Sequence, residues 1–193
     1  MRIIGGSARG RKLLAPGRRF GALIRPTSDR AREAIFNILA ARVAGATVLD
    51  LFAGTGALGL EALSRGAARA VFVDGQRLVT ELIESNVALC GFAERATVLH
   101  KDLSRGLAFL AAFKPPGGFT LIFLDPPYES TLALRGLEFL AGGSFLAAGA
   151  IVVLEDAAAA QYPQTLGPLA CFDQRRYGEA GFWLYQQMEA GVP

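Results

Sequence analysis

A chain of 193 residues that is 52% hydrophobic and 19% charged is long enough for one compact domain with a sizeable core and too apolar to remain disordered. Its two cysteines, Cys90 and Cys171, exclude a disulfide framework and a four-thiolate metal centre, and fit a protein of the reducing cytoplasm. The net charge of +3 conceals a division: residues 1–42 carry ten basic against two acidic side chains (+8), residues 43–193 carry ten against fifteen (−5), and arginine outnumbers lysine seventeen to three, which points to a polyanionic partner such as nucleic acid.

Taken in chain order, residues 2–6 and 11–15 flank a Gly-Ser-Ala-Arg-Gly turn and predict a basic hairpin. After Pro26, residues 28–43 place Ala31, Ala34, Ile35, Ile38 and Leu39 at helical spacing, with Thr27 or Ser28 available as the cap. From residue 47 the pattern alternates. Strands are expected at 47–51, 70–73, 96–99, 119–124 and 150–154, with helices at 57–65, 77–89, 104–113 and 131–140. Strands so uniformly apolar belong to a parallel sheet covered on both faces. The alanine run 157–160 reads as helical, and residues 171–177 and 182–187 flank Gly178-Glu179-Ala180-Gly181 as a closing antiparallel hairpin. The longest uncharged run, 139–154, is glycine-broken and shorter than the roughly 18 residues of a spanning helix. Only two apolar residues follow Arg2 before Gly5, so no secretory leader is expected and the protein is expected to stay inside.

The first chemical signal is Asp50-Leu51-Phe52-Ala53-Gly54-Thr55-Gly56-Ala57-Leu58-Gly59, which leaves a strand and opens a helix. Glycine permits the tight turn and a close backbone approach to a ligand. Gly54, Gly56 and Gly59 spell G-x-G-x-x-G, and Asp74 lies at the end of the next strand, a pattern that a dinucleotide site would share. A diphosphate, however, would be repelled by a carboxylate entering the loop at Asp50. S-adenosylmethionine, with a sulfonium, an ammonium and no phosphate, would be attracted by it. Asp74 suits ribose hydroxyls under either reading, and Asp102, after the third strand, suits either the adenine edge or a helix N-cap.

The second signal is Asp125-Pro126-Pro127-Tyr128 at the end of the fourth strand. In an open α/β sheet ligands lie beyond the carboxyl ends of the strands, so this tetrapeptide and the glycine turn should open onto one crevice. Two prolines remove two donors and leave acceptors, which suits an amine. An exocyclic base amine hydrogen-bonded to the Asp125 carboxylate and the Pro126 carbonyl would aim its lone pair at a methyl group, and those bonds would strengthen as positive charge develops. Tyr128 would stack on the base. No metal is required.

Together, Asp50-x-Phe52-x-Gly54-x-Gly56, Asp74, Asp102 and Asp125-Pro126-Pro127-Tyr128 resemble the ordered motifs of class I methyltransferases acting on base amines. The blocks Arg2-Ile3-Ile4-Gly5-Gly6, Arg9-Gly10-Arg11-Lys12-Leu13, Arg25-Pro26-Thr27-Ser28-Asp29-Arg30 and Arg32-Glu33-Ala34-Ile35-Phe36-Asn37 are similar to the amino-terminal blocks of the bacterial 16S ribosomal RNA guanine-N2 methyltransferases, and residues 50–67 are similar to that family's glycine segment. The resemblance implies an α/β Rossmann-like fold with a mostly parallel seven-stranded sheet, helices on both faces and a C-terminal hairpin. It implies S-adenosylmethionine as donor and methylation of a guanine in 16S rRNA, in the assembled or assembling small ribosomal subunit. It further implies that residues 1–42 form an RNA-facing extension, with Arg9, Arg11, Lys12, Arg25 and Arg30 toward RNA, that 43–189 form the methyltransferase core and 190–193 a tail. One departure stands out: the family's usual glutamate is here Asp74, one methylene shorter. Three alternatives stay open: a DNA adenine-amine methyltransferase, a nicotinamide-dependent oxidoreductase, and a non-catalytic RNA-binding assembly factor. Cys90, His100 and Trp183 read as packing or surface residues.

Overall fold

The structure, a computed structural model, describes residues 1–15, 28–128 and 130–188. Arg25, with the Pro26 and Thr27 that follow it, and the tail 190–193 lie outside these residues. One eight-stranded sheet runs β3-β2-β1-β4-β5-β8-β7-β6. Its parallel part comprises β1 (Thr47–Leu51), β2 (Arg69–Asp74), β3 (Ala96–His100), β4 (Phe119–Leu124) and β5 (Leu146–Ala157). It closes antiparallel with β6 (Thr165–Leu166), β7 (Leu169–Tyr177) and β8 (Ala180–Gln187). The seven expected strands are therefore joined by an eighth, the two-residue β6 at the outer edge.

Alternation along each strand divides the core into two layers. Val48, Leu121, Phe123, Ile151 and Val153 face the layer formed with α1 (Asp29–Leu39), α2 (Ala57–Ser64) and α3 (Arg77–Cys90). Leu49, Leu51, Ile122, Leu124, Val152 and Leu154 face the layer containing α4 (Leu132–Gly142). Burial on both faces is what the apolar strands foretold, each large side chain contributing about 1.5–3 kcal/mol. Ser28 caps α1, its Oγ accepting from the Ala31 amide at 3.2 Å.

Two local expectations are corrected. The helix expected at 104–113 is two short 3₁₀ turns, Leu103–Arg105 and Ala108–Ala112, because Gly106 between them takes φ 98° and interrupts any continuous helix. The alanine run does not form a helix. Ala157 is the last residue of β5, paired with Ala180, and Ala158 donates to the Glu179 carbonyl at 2.8 Å, so sheet pairing overrides alanine's propensity. The expected amino-terminal hairpin is present in irregular form: Arg2 bridges Lys12 antiparallel, the Ile3 amide donates to the Arg11 carbonyl at 2.9 Å and the Leu13 amide to the Met1 carbonyl at 3.2 Å, while the amides of Ile4, Gly5 and Ala8 bond to α2.

Candidate active site and its basic flank

The glycine bend begins where β1 ends. Phe52 takes φ 59°, a left-handed conformation that costs a non-glycine residue about 1–3 kcal/mol, and Gly54 and Gly56 follow at 56° and 76°. The Gly54 amide donates to Asp74 Oδ2 at 3.2 Å, tying the bend to the end of β2. Gly59 explains how α2 sits so close to the sheet: a Cβ there would lie 2.3 Å from the Phe72 ring and 3.0 Å from Asp50 Oδ2. That same Asp50 oxygen accepts from the Gly59 amide at 2.9 Å.

This geometry changes the part expected of Asp50. It is 1% exposed and is not among the residues lining the adjacent cavity, and neither is Gly56. Burial pushes the Asp50 carboxyl up to about 8, only partly offset by the Gly59 hydrogen bond through which it anchors the first turn of α2. The acids that do line the cavity are Asp74, Asp102 and Asp125.

That cavity, of about 450 Å³, lies beyond the carboxyl ends of the parallel strands. Phe52 and Gly54 from the bend, Asp74 and Gln76 after β2, Asp102 after β3, and Asp125, Pro126, Pro127 and Tyr128 after β4 all line it. Its size suits a nucleoside-sized ligand. The two sequence signals thus meet in one crevice, because β1 and β4 are parallel neighbours with Leu51 opposite Leu124. Asp74 is half-buried; burial raises its carboxyl, countered by the amides of Gln76 and Gly54 that hold its two oxygens. Asp102 is exposed and caps the 3₁₀ turn that follows, accepting from the Ser104 hydroxyl at 2.6 Å and the Ser104 amide at 3.0 Å, which lowers its carboxyl; it lines the cavity all the same. Asp102 therefore serves as a cap and borders the cavity at once. Asp125 stands well above the ordinary carboxylate range, first through burial and then through the proximity of Glu155. The Tyr128 hydroxyl donates to Glu155 Oε1 at 3.0 Å, so the ring stands at the cavity with its polar end held.

The basic amino-terminal segment lies on α2, and the residues that hold it were not singled out in the sequence. Glu61, fully buried, accepts from the amides of Ile4 at 2.7 Å and Gly5 at 2.8 Å and pairs with Arg65 Nε at 2.6 Å. Arg32, also fully buried, has Nε 4.0 Å from Glu61 Oε2 and bonds Asp29 at 2.9 Å. Ser64 Oγ accepts from the Ala8 amide at 2.9 Å, and Asn86 Oδ1 accepts from the Leu14 amide at 2.7 Å. The approach is close: a Cβ on Gly6, whose φ is 76°, would lie 1.8 Å from the Ser64 carbonyl oxygen. Glu61 had a legible signal, a lone acid inside the otherwise apolar helix Ala-Leu-Gly-Leu-Glu-Ala-Leu-Ser. Among the residues expected to face RNA, Arg9, Lys12 and Arg30 are exposed, and Arg25 lies outside the described residues. Arg11 is exposed too, but its guanidinium donates to the Leu89 carbonyl in the last turn of α3.

His100 Nε2 lies 3.0 Å from the Gly75 carbonyl oxygen, Trp183 is buried against Tyr162, and both cysteines are free thiols. No helix is long and apolar enough to cross a membrane among the described residues.

Comparison with known proteins agrees with this architecture. The chain is 36% identical over 191 residues to ribosomal RNA small subunit methyltransferase D of Escherichia coli, covering 99% of this chain and 92% of that protein. A solved structure of a hypothetical protein from Thermus thermophilus superposes with a TM-score of 0.78 at 34% identity, covering 95% and 98% of the two chains. The structure of an RNA methyltransferase from Salinibacter ruber, bound to S-adenosyl-L-homocysteine, shares the fold with a TM-score of 0.62 at 18% identity, covering 88% and 97%. The family model described as Conserved hypothetical protein 95 matches residues 1–186, and the chain belongs to that family.

Proposed function

We propose that this protein transfers the methyl group of S-adenosylmethionine to the exocyclic N2 amine of a guanine in the 16S RNA of the small ribosomal subunit. The observation that carries this reading is the one cavity shared by the glycine bend and Asp125-Pro126-Pro127-Tyr128. The small-subunit relative supports RNA of that subunit as the substrate class.

The cavity fits the donor in its own chemistry. Asp74, at the tip of β2, lines the cavity and is an acceptor-only group when ionised, which suits ribose hydroxyls, and Asp102 offers a second carboxylate edge. Bound there, S-adenosylmethionine supplies an electrophilic methyl on a positively charged sulfur. The protein's own contribution is orientation. Asp125 and the Pro126 carbonyl accept from the target amine and direct its lone pair inward, and well-aligned reactants of this kind gain about 7–11 kcal/mol. Positive charge would develop on the amine nitrogen as it takes up the methyl group. Asp125 acts as the carboxylate, the form that a cationic donor beside it would favour; its interaction with the amine would strengthen as positive charge develops, and it can then take the proton that nitrogen must lose. Tyr128, held by Glu155, stacks on the base without selecting it.

Labelled methyl transfer to small ribosomal subunits, set against duplex DNA and followed by mass mapping of modified nucleotides, tests the reading. N2-methylguanine in 16S RNA is expected. Incorporation into DNA alone would overturn it, and tight NADH binding without S-adenosylhomocysteine binding would favour the oxidoreductase.

A further inference from the structure

We infer that the tip of the β7–β8 hairpin, through Arg176 and Tyr177, joins Arg30 of α1 in a second RNA-contact surface that holds a single-stranded segment next to the target nucleotide. The inference rests on the RNA-methyltransferase reading and extends it to a part of the chain that carries none of the family-like basic blocks.

The register of the sheet brings this tip to the cavity's end of the molecule. β5 ends at Ala157 opposite Ala180, and Ala180 pairs with Tyr177, so the two-residue turn Gly178-Glu179 stands at the carboxyl edge of the parallel strands. Arg176 pairs with Gly181 and Gly181 with Asp156, two residues past Leu154, whose neighbour Leu124 lies two residues before Pro126. Arg176 and Pro126 are therefore level along the strand direction and three strands apart, about 14 Å across the sheet. A polynucleotide with one base in the cavity has its neighbouring phosphates within that span.

The surface beside Arg176 is concave and basic. Ser28, Arg30, Arg176, Tyr177 and Gly178 line one depression of about 440 Å³, and Arg30 also lines the next, of about 360 Å³, with Arg2, Arg9, Asp29 and Glu33. Arg30 thus links the hairpin tip to the amino-terminal segment in one trough. Of the two acids in that trough, Asp29 is engaged by Arg32 at 2.9 Å and Arg2 at 3.6 Å; Glu33 is the other, and Glu179 sits in the hairpin turn. Four arginines against this smaller acid count favour a polyanion. Arg176 is exposed, whereas its neighbour Arg175 is already paired with Asp173 at 3.0 Å. Tyr177 is half-buried, braced by Phe182 at a ring separation of 5.9 Å, which leaves an aromatic edge beside two guanidinium groups. Guanidinium and a braced ring are the combination that binds unpaired RNA, the one through phosphate and the other through base stacking.

Arg176→Ala, Arg176→Glu and Arg30→Ala are compared with the wild type by filter binding to 16S RNA and to small ribosomal subunits across a salt series, with methyl transfer measured in parallel and thermal unfolding as the check on folding. Each alanine variant is expected to flatten the slope of log affinity against log salt by about 0.7. Arg176→Glu should raise KM for the subunit by about tenfold or more, with kcat within about twofold and S-adenosylhomocysteine affinity unchanged, as removal of uniform binding requires. A salt slope and KM identical to wild type in both Arg176 variants, in an enzyme that methylates subunits normally, overturns the inference and leaves the enzymatic reading intact. A wild type that neither binds nor methylates the RNA overturns both.

Discussion

Two buried acids, close in the chain and both touching α2, behave in opposite ways. Glu61, on the helix flank, is surrounded by donors: two backbone amides, Arg65 and, farther off, Arg32. Asp50, beneath the helix start, has one amide, and the charges that act on it and on Asp125 are other carboxyls. The difference separates a buried acid saturated by donors from one held by a single amide, and both serve the fold, since neither lines the cavity. A carboxylate saturated by the protein has no capacity left for a ligand, so Glu61 fastens the basic segment to the core. Asp74 and Asp125, at the cavity, are raised by burial, and Asp125 by neighbouring carboxyls as well, a state that a cationic donor and a developing ammonium would relieve.

The sharpest way to break this contrast is Glu61→Ala. It removes one of the two acids beside the fully buried Arg32, leaves Arg65 without its acid and frees two amides, and a loss of about 3–5 kcal/mol is expected in urea denaturation. A loss below about 1 kcal/mol, the range of an exposed pair, would rule out the clamp. Asp125→Ala lies on the other side. It should cut methyl transfer about a hundredfold or more while RNA and S-adenosylhomocysteine affinities stay within about twofold; retained turnover would mean the cavity's acids are structural after all. Gly59→Ala pushes α2 off Phe72 and Asp50 and should cost about 1–3 kcal/mol, read from the same denaturant curves.

The pH dependence of stability sharpens the comparison further. The Asp50 carboxyl, near 8 when folded and near 3.8 when unfolded, keeps its proton in the native state over a range where the unfolded chain has lost it. Its contribution is therefore fully present below about pH 4 and declines as pH rises toward 8. Asp50→Asn should flatten that decline, and denaturation midpoints between about pH 5 and 8 that fall equally in both proteins would refute it. The smallest effect is expected of Arg9→Ala and Lys12→Ala, each lowering the salt slope of RNA binding by about 0.7–0.9 with stability unchanged. Arg11→Ala is expected to cost stability as well, because its guanidinium bonds the Leu89 carbonyl.

Much of the fold is legible in the sequence because its signals are local and repeated. Apolar strands alternating with amphipathic helices, a glycine bend after the first strand and a proline-stiffened tetrapeptide after the fourth are enough to place the cavity wall. Where the sequence misleads, a distant partner decides. Ala157 and its neighbours have helical propensity, yet β8 is there to pair with them. Residues 104–113 look helical except at Gly106, and one residue in the left-handed region is enough to divide them. Asp50 shows the same limit at the site: its place in the motif is plain, but its protonation and its removal from the cavity depend on how tightly α2 seats on Phe72. Glu155, hydrogen-bonded to Tyr128, carries no signal of its own, because it lies near the end of a strand 27 residues further on.

The order of the elements, the βα bend, the acid-Pro-Pro-Tyr turn and the uneven distribution of charge are set by the chain itself, since each depends on residues a few positions apart. Which carboxyls face the cavity, which hold the basic segment, and that Arg176 comes level with Pro126 are settled only by assembly. Those facts depend on strand register and burial, and both arise from contacts between residues distant in sequence.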